Sequence, residues 1–253
     1  RNDSKSHIEP AVKLLKKKLP MDDDLNKKIK TAALEIRRKC LDIAYGRNPN
    51  ATHLGGALST VDILATLYFE VMNYDVSNPT WENRDRFFLS KGHSVMGYYA
   101  TLAKAGFITD EELFTYGQNE TFLPGHPVIN KEKGIESTNG SLGMGLSVGI
   151  GNAIAAKKKN LGSRSFVLMG DGECNEGSVW EAAMAAPHFK LDNLTAIIDR
   201  NRFQQTGTGA DIMDIGDLRE KFSSFGWHAL EINGHDVNAI YKALNEDSAG
   251  KPK

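Results

Sequence analysis

Residues 166–177 read FVLMGDGECNEG, so a short apolar run leads directly into an aspartate that lies between two glycines. This run (SFVLM, 165–169) and a later one (LTAIID, 194–199) lack polar alternation, which is typical of strands covered on both faces. The segment between them, EGSVWEAAMAAPHF, has a helical pattern. This order predicts a β-α-β unit and therefore a parallel sheet.

Helices are predicted on the amino-terminal side of this unit. Apolar residues recur every three or four positions between residues 25 and 43, which predicts a helix that ends near Gly46. Two pairs have the spacing of a capping box and predict two further helix starts. They are Ser59 with Asp62 and Thr109 with Glu112.

The alternation continues after residue 200, with a predicted helix at about 217–225, a strand at 227–232 and a helix at 236–245. We expect an α/β fold, a parallel sheet with helices on both faces. Residues 1–24 are predicted to be an extension or helix, and residues 25–253 the domain itself. Because the sequence starts without Met and ends in SAGKPK, where another strand is expected, we interpret it as a fragment or a trimmed chain.

Composition narrows the class of protein. A formal charge of −1 over 253 residues gives no long-range attraction to nucleic acid or to an anionic membrane. No uninterrupted apolar run approaches the roughly 20 residues that span a bilayer, and the N-terminus lacks the apolar core of a signal peptide. Cys40 and Cys174 suggest neither a disulfide framework nor a metal knuckle. We therefore expect a cytoplasmic protein.

The carboxyl ends of the two predicted strands carry candidate metal ligands. Asp171 follows the first strand and Asn201 the second, and in a parallel sheet both emerge at one edge. One carboxylate and one amide oxygen suit Mg²⁺ that is completed by phosphate oxygens. Gly170 and Gly172 would let the backbone approach a diphosphate, and a helix starting near Glu176 would add amide donors.

The alternative is that residues 170–172 form only a tight turn with an Asx hydrogen bond. An asparagine at the end of the next strand favours the metal site, because a simple turn makes no demand on position 201.

Three of the seven histidines are candidates for ligand contact or proton transfer. Each lies beside glycine or proline or in a predicted loop ahead of the strands. These are His53, His93 and His126. We interpret His7, His188, His228 and His235 as ordinary surface or core residues.

The motifs together resemble the N-terminal, thiamine diphosphate-binding half of transketolases. GDG followed at this interval by asparagine matches the thiamine diphosphate signature of that family. The other matching stretches are HLGGALS (53–59), RDRFFLSKGH (84–93), PGHP (124–127), STNGSLGMGLSVGIG (137–151) and WEAAMAAPHFKLDNLTAIIDRN (180–201). The details most resemble the prokaryotic form in which transketolase is split into two polypeptides.

The resemblance implies a set of metal and diphosphate contacts. Asp171, the side-chain oxygen of Asn201 and the main-chain carbonyl of Phe203 would bind Mg²⁺ or Ca²⁺. Gly170 and Gly172 would face the diphosphate, with the Gly172 amide as a donor.

It also implies roles around the rings of the cofactor. His93 would reach the phosphate side of the cofactor, and His53 and His126 would line the channel above the thiazolium, contact sugar hydroxyls and help to move protons. Further residues would contact the rings or the subunit interface. Gly140 and Leu142 belong to a loop against the aminopyrimidine and thiazolium rings (the ring loop). Glu176 belongs to a subunit interface that links two cofactor sites.

The implied activity is transfer of a two-carbon ketol unit from a ketose phosphate to an aldose phosphate. The pyrimidine-binding domain is missing from these residues, so we expect a heterotetramer of two such chains and two C-terminal transketolase subunits, inactive without them. Leu54 and Asn139 depart from the family pattern near the reacting centre and leave the sugar open. The alternatives are a 1-deoxyxylulose-phosphate synthase relative, a transketolase for an unusual sugar, or a non-catalytic thiamine diphosphate-binding domain.

Overall fold

The computed structural model describes residues 22–46 and 53–253 of the chain. The predicted extension, residues 1–24, lies mostly outside these ranges, as does His7. Helix α1 (Asp23–Gly46) occupies the region of the amino-terminal apolar stripe and buries Ile29, Ile36 and Ile43. The predicted helix ending near Gly46 is confirmed.

Three parallel strands form the central sheet in the order β1-β2-β3. They are β1 (Arg86–Leu89), β2 (Ser165–Gly170) and β3 (Leu194–Asp199). The two strands predicted from apolar runs are β2 and β3, and the β-α-β unit is confirmed. No sequence pattern predicts β1, because its four residues are too few for an apolar run to stand out from charged neighbours.

The remaining α-helices of the described chain follow in order. They are α2 (Leu54–Leu58), α3 (Val61–Thr66, continued by a π-helical turn, Leu67–Val71), α4 (Val95–Ala105), α5 (Asp110–Leu113), α6 (Gly145–Lys158), α7 (Gly177–His188), α8 (Gly209–Ile212), α9 (Leu218–Ser224) and α10 (Val237–Asn245). The predictions of α7, α9 and α10 are confirmed. Between β3 and α8, two-residue strands β4 (Phe203–Gln204) and β5 (Gly207–Thr208) form an antiparallel hairpin.

Helices cover both faces of the sheet. Successive strand side chains point to opposite faces, so neighbouring residues enter different cores. Phe87 and Phe166 belong to a core with α3, α4 and α10, whereas Phe88 and Val167 belong to a core with α6, α7 and α9. Helix α1 packs on the outer side of α3 and α4. The predicted α/β architecture is confirmed.

Among the described residues, one helical stretch, Leu54–Val71, is long and apolar enough to cross a membrane when judged by length and composition alone. It does not stand out in the sequence, because Ser59, Thr60 and Asp62 interrupt the apolar run. In the structure 61% of this stretch is buried inside the protein. That burial is typical of a core helix in an α/β domain.

The two predicted capping boxes have different outcomes. The box at Thr109 and Glu112 is confirmed, because both reciprocal hydrogen bonds are present. The box at Ser59 is wrong, because helix α3 begins at Val61 without a side-chain cap. Ser59 instead donates to Asp199, and the predicted partner, Asp62, accepts hydrogen bonds from tertiary contacts.

The predicted strand at 227–232 is also wrong. Residues 252 and 253 lie along the start of the β3 edge instead: Lys253 N donates to Leu194 O at 3.0 Å, and Lys253 O accepts from Ala196 N at 2.6 Å. His228 N donates to Pro252 O at 2.9 Å, so residues 252 and 253 separate the two segments. A groove of about 480 Å³ remains between β3 and residues 227–232, and the middle of β3 is therefore only half-buried.

Candidate functional site

The carboxyl ends of β2 and β3 meet at one edge of the sheet, as predicted. Gly170 and Asp199 are paired in the strand register, and Asp171 follows β2 directly. Oδ2 of Asp171 accepts a hydrogen bond of 2.8 Å from the backbone N–H of Arg202. The structure therefore brings the GDG turn and the loop containing Asn201 together.

The predicted metal ligands are all oxygen atoms. Asp171 is 7% exposed, and Oδ1 of Asn201 accepts from Phe203 N at 2.9 Å. A carboxylate, an amide oxygen and a main-chain carbonyl are the hard donors that Mg²⁺ and Ca²⁺ prefer. This set contains one acidic residue, and residues 22–46 and 53–253 contain no group of three or more His, Cys, Asp or Glu that could hold a metal.

The two glycines of the GDG turn have different surroundings. A Cβ built on Gly170 meets no atom within 4 Å, although the residue itself is buried at the end of β2. A Cβ on Gly172 would meet Cγ of Gln204 at 3.0 Å, so this glycine also permits packing of the β4 hairpin. The Gly172 N–H donates to Oδ1 of Asp171 at 3.0 Å. A 3-10 turn, Gly172–Asn175, separates this position from α7, which begins at Gly177, one residue beyond Glu176.

A second acid at the same edge is already paired. Oδ2 of Asp199 accepts from Lys91 Nζ at 2.5 Å and from the Ser59 hydroxyl at 2.6 Å. Lys91 is completely buried, and this carboxylate is its ion-pair partner. The network was not predicted, although an acid at the end of an apolar strand and a lysine in SKGH are visible signals in the sequence.

The three candidate histidines form one cluster. The ring centroid of His53 lies 5.7 Å from that of His93 and 6.3 Å from that of His126. Burial, followed by the charge of Lys91 and the two other histidines, lowers the pKa of His93 to about 4. His93 is therefore neutral near pH 7, whereas His53 and His126 are exposed at the mouth of the site.

Glycines make this cluster possible. A Cβ on Gly92 would lie 3.1 Å from Cδ2 of His126 and 2.9 Å from the carbonyl oxygen of Asn139. A Cβ on Gly56 would lie 3.0 Å from Cδ2 of His93. Cβ atoms in proteins rarely approach other atoms this closely. A side chain at either glycine would therefore displace an imidazole ring or the neighbouring backbone.

The predicted ring-contact residues lie in the loop before α6. Gly140 is exposed and faces the His126 ring, and Leu142 is also exposed. Gly143 has φ of +82° and a Cβ built there would lie 2.6 Å from Cβ of Glu176. The exposed Glu176 thus packs beside the loop.

The groove beside β3 reaches Asp199, Asn201 and Arg202, but the three histidines do not line it. The groove results from the separation of β3 and residues 227–232. The chemistry of the histidines and of Asp171 therefore defines the candidate site better than cavity size does.

Comparison with known proteins identifies the family of this chain. Residues 29–253 match the family described as transketolase, thiamine diphosphate binding domain. The chain is 46% identical over 208 residues to an apulose-4-phosphate transketolase subunit of Phocaeicola vulgatus, covering 82% of this chain and 73% of the relative. It is 41% identical over 202 residues to the 6-deoxy-6-sulfo-D-fructose transketolase subunit of a Clostridium species, covering 79% and 74%.

Solved structures show the same fold. Transketolase from Leishmania mexicana superimposes with a TM-score of 0.79 at 30% identity, covering 89% of this chain and 35% of that one. Transketolase from Campylobacter jejuni gives a TM-score of 0.77 at 30% identity, covering 92% and 37%. The chain thus spans about a third of the length of these transketolases. It belongs to the transketolase family and carries the family's N-terminal, thiamine diphosphate-binding domain.

Proposed function

We propose that this chain is the N-terminal subunit of a transketolase. It transfers a two-carbon ketol unit from a ketose phosphate to an aldose phosphate, with thiamine diphosphate and a divalent metal, and has no activity without a C-terminal subunit that carries the pyrimidine-binding domain. The hydrogen bond between Asp171 and Arg202 N is the observation that carries the proposal. It brings the metal-binding acid and the Asn201 loop together at the edge where ligands of parallel sheets bind.

The proposed anchor consists of this chain's own oxygen atoms and amides. Asp171, Asn201 and the carbonyl of Phe203 hold the metal, Mg²⁺ or Ca²⁺, and the backbone at Gly170 and Gly172 faces the diphosphate. Among the described residues, four buried acids form ion pairs, namely Asp62, Asp85, Glu136 and Asp199, whereas Asp171 has no basic side-chain partner. Its negative charge is therefore available to a cation.

The histidine cluster supplies the polar contacts above the anchor. Thiamine diphosphate, when bound, provides the carbanion and electron-sink chemistry of ketol transfer. His53 and His126 contact sugar hydroxyls and move protons, while neutral His93 offers one donor and one acceptor towards the phosphate side. Gly140 and Leu142 border the rings of the cofactor.

The names of the relatives support a two-subunit enzyme, since the relatives from Phocaeicola vulgatus and the Clostridium species are both named as subunits. We propose a cytoplasmic heterotetramer of two such chains and two partner chains, acting in carbohydrate metabolism of the pentose phosphate type. Glu176, which is exposed beside the ring loop, would lie at the interface between the two copies of this chain.

A transketolase for a less common sugar is the second candidate. The relatives named for apulose 4-phosphate and for 6-deoxy-6-sulfo-D-fructose favour it. Asn139 does not oppose common sugars by direct contact, because it is buried and its amide donates to Ser137 Oγ at 2.7 Å. Both named sugars belong in a substrate screen beside ordinary ketose phosphates.

Titration calorimetry of thiamine diphosphate into the full chain, with Mg²⁺ and with or without the partner subunit, tests the proposal. We expect metal-dependent binding that tightens with the partner. Loss of a residue that only hydrogen-bonds to a metal ligand typically weakens a metal site about 10–100-fold. Asp171→Ala removes a ligand itself, so it should weaken thiamine diphosphate binding by more than about 100-fold. Ketol transfer should require both subunits.

Asp192→Ala is the matched control, since this exposed acid pairs with Lys157 near the amino end of β3. It should leave the affinity unchanged. Absence of binding in the presence of a folded partner would favour the non-catalytic alternative. Binding without transfer from any ketose would reject the enzymatic role.

A further inference from the structure

Glu173 is a buried carboxylate beneath the loops of the candidate site. It is 2% exposed and lies in the 3-10 turn that follows Asp171. Its Oε1 accepts hydrogen bonds from the Ser90 hydroxyl and from Gly143 N, the latter at 2.9 Å. Its Oε2 accepts from Gly170 N at 3.0 Å. Three donors from three segments therefore converge on one side chain.

The segments that Glu173 joins all border the proposed cofactor site. Ser90 follows β1 and precedes His93, Gly143 belongs to the ring loop (residues 140–144), and Gly170 ends β2. Ser90 Oγ also accepts from Gly145 N at 3.0 Å, which extends the network to the first residue of α6.

The ring loop is held from both sides at Gly143. Its N–H donates to Glu173, and its carbonyl accepts from Ser178 Oγ at 3.0 Å. The positive φ of Gly143 lets the peptide make both contacts in this tight space. Glu173 is therefore the link between this loop and the end of β2.

Both carboxylate oxygens of Glu173 are needed for this link. An ionised carboxylate accepts at both oxygens, as two N–H groups and one hydroxyl require. An amide in its place would direct NH₂ either at Gly170 N–H or at Gly143 N–H, because it has only one acceptor atom. One buried N–H would then lose its acceptor.

We propose that Glu173 is a positioning residue that fixes the ring loop relative to the diphosphate anchor at residues 170–172. This inference rests on the proposed function, in which the loop borders the rings of thiamine diphosphate and the anchor holds its diphosphate. The two halves of the ligand then depend on different residues. Residues 170–172 bind the diphosphate, and Glu173 determines how well the rings fit.

The experiment compares Mg²⁺-dependent binding of thiamine diphosphate and of inorganic diphosphate to the full chain, with the partner subunit present, in wild type and Glu173→Gln. The affinity for thiamine diphosphate should fall about tenfold or more, the equivalent of one unsatisfied buried group. The affinity for inorganic diphosphate should change less than about threefold, since the hydrogen bonds that Asp171 accepts from Gly172 N and Arg202 N do not involve Glu173. A general loss of structure would weaken both ligands equally.

Asp85→Asn is the matched control. Asp85 is also a buried acid that accepts backbone N–H groups, from Asn73 and Arg164, both at 2.8 Å, but at the opposite edge of the sheet. It should lower the melting temperature without changing the ratio of the two affinities. Ser90→Ala keeps the carboxylate and removes one donor, so it should change the ratio in the same direction by a smaller factor, even if Glu173→Gln does not fold.

Equal loss of both affinities, or no loss, would overturn the inference. Wild-type protein that binds neither ligand would reject the proposed function instead. In that case hydrogen exchange in the ligand-free chain decides the inference: amides 140–145 should exchange faster in Glu173→Gln, or in Ser90→Ala, but not in Asp85→Asn. Unchanged exchange would overturn it.

Discussion

The protonation state of His93 is determined by the residues around it. The ring is half-buried, beside the charge of Lys91 and close to His53 and His126, and these neighbours disfavour protonation. An imidazole that stays neutral at this position keeps both a donor and an acceptor available to a ligand. Lys91 itself is completely buried and forms an ion pair of 2.5 Å with Asp199.

The lowered pKa of His93 predicts how the free energy of unfolding depends on pH. The pKa of His93 falls from an ordinary 6.5 to about 4 on folding, so below pH 6.5 the unfolded chain binds the proton first and stability decreases. The decrease should level off below about pH 4. Between pH 7 and 5 we expect His93→Gln to lose about 1–2 kcal/mol less unfolding free energy than wild type.

Urea denaturation at a series of pH values measures this effect. His188→Gln, which replaces an exposed histidine outside the cluster, serves as the control and should follow wild type. A His93→Gln curve parallel to that of wild type would show that His93 does not cause the pH dependence.

At the scale of elements, α6 shows how the glycine-rich stretch GLSVGIG (145–151) can form a helix. Glycine is normally unfavourable in a helix interior. Gly145 and Gly149 are needed for close contact, since a Cβ on the first would lie 2.4 Å from Ser90 Cβ and one on the second 2.3 Å from Val167 Cγ2. Gly151 has no atom within 4 Å of its built Cβ.

Two substitutions in this helix should therefore change the free energy of unfolding in opposite directions. Gly149→Ala forces a methyl group against β2, where overpacking costs about 1–3 kcal/mol and exceeds the gain in helix propensity. Gly151→Ala is exposed and should raise the unfolding free energy by about 0.5–1 kcal/mol. Urea denaturation of both variants checks this, and stabilisation of Gly149→Ala would contradict the packing of α6 on the sheet.

At the scale of the whole molecule, α6 and α7 pack together and expose apolar side chains on their outer side. Met144 is 50%, Val148 42% and Met184 53% exposed. Met144 and Val148 are one helical turn apart at the start of α6 and lie on one face, and an exposed apolar surface is typical of interaction sites. It adjoins Glu176 and Leu142, so it is the surface on which we expect a second copy of this chain to bind in the proposed heterotetramer.

A charge on this surface should prevent that association. We expect Val148→Glu to lower the mass of the complex formed with the partner subunit, because an unpaired buried carboxylate is unfavourable at an interface. Sedimentation velocity measures the mass. Leu34→Glu, at an apolar residue of α1 that is 49% exposed, should leave the mass unchanged. Equal masses for wild type and Val148→Glu would place the interface elsewhere.

The prediction from sequence is most complete where interactions are local. The apolar runs of β2 and β3, the stripe of α1 and the capping box at Thr109 are each visible in a few consecutive residues, and each is confirmed. The box at Ser59 is wrong because its partners are distant: Asp62 accepts from Arg37 at 2.5 Å and from His235 at 2.9 Å. Local spacing does not reveal that competition.

The sequence by itself determined the α/β class, the parallel pairing of β2 with β3 and the meeting of residues 171 and 201 at one edge, because strand polarity and apolar period follow from neighbouring residues. Only the tertiary structure decided that residues 227–232 stay outside the sheet, that Lys91 pairs with Asp199 and that Glu173 joins three loops. Those contacts connect positions far apart in the chain, so their energies depend on packing that no short pattern records.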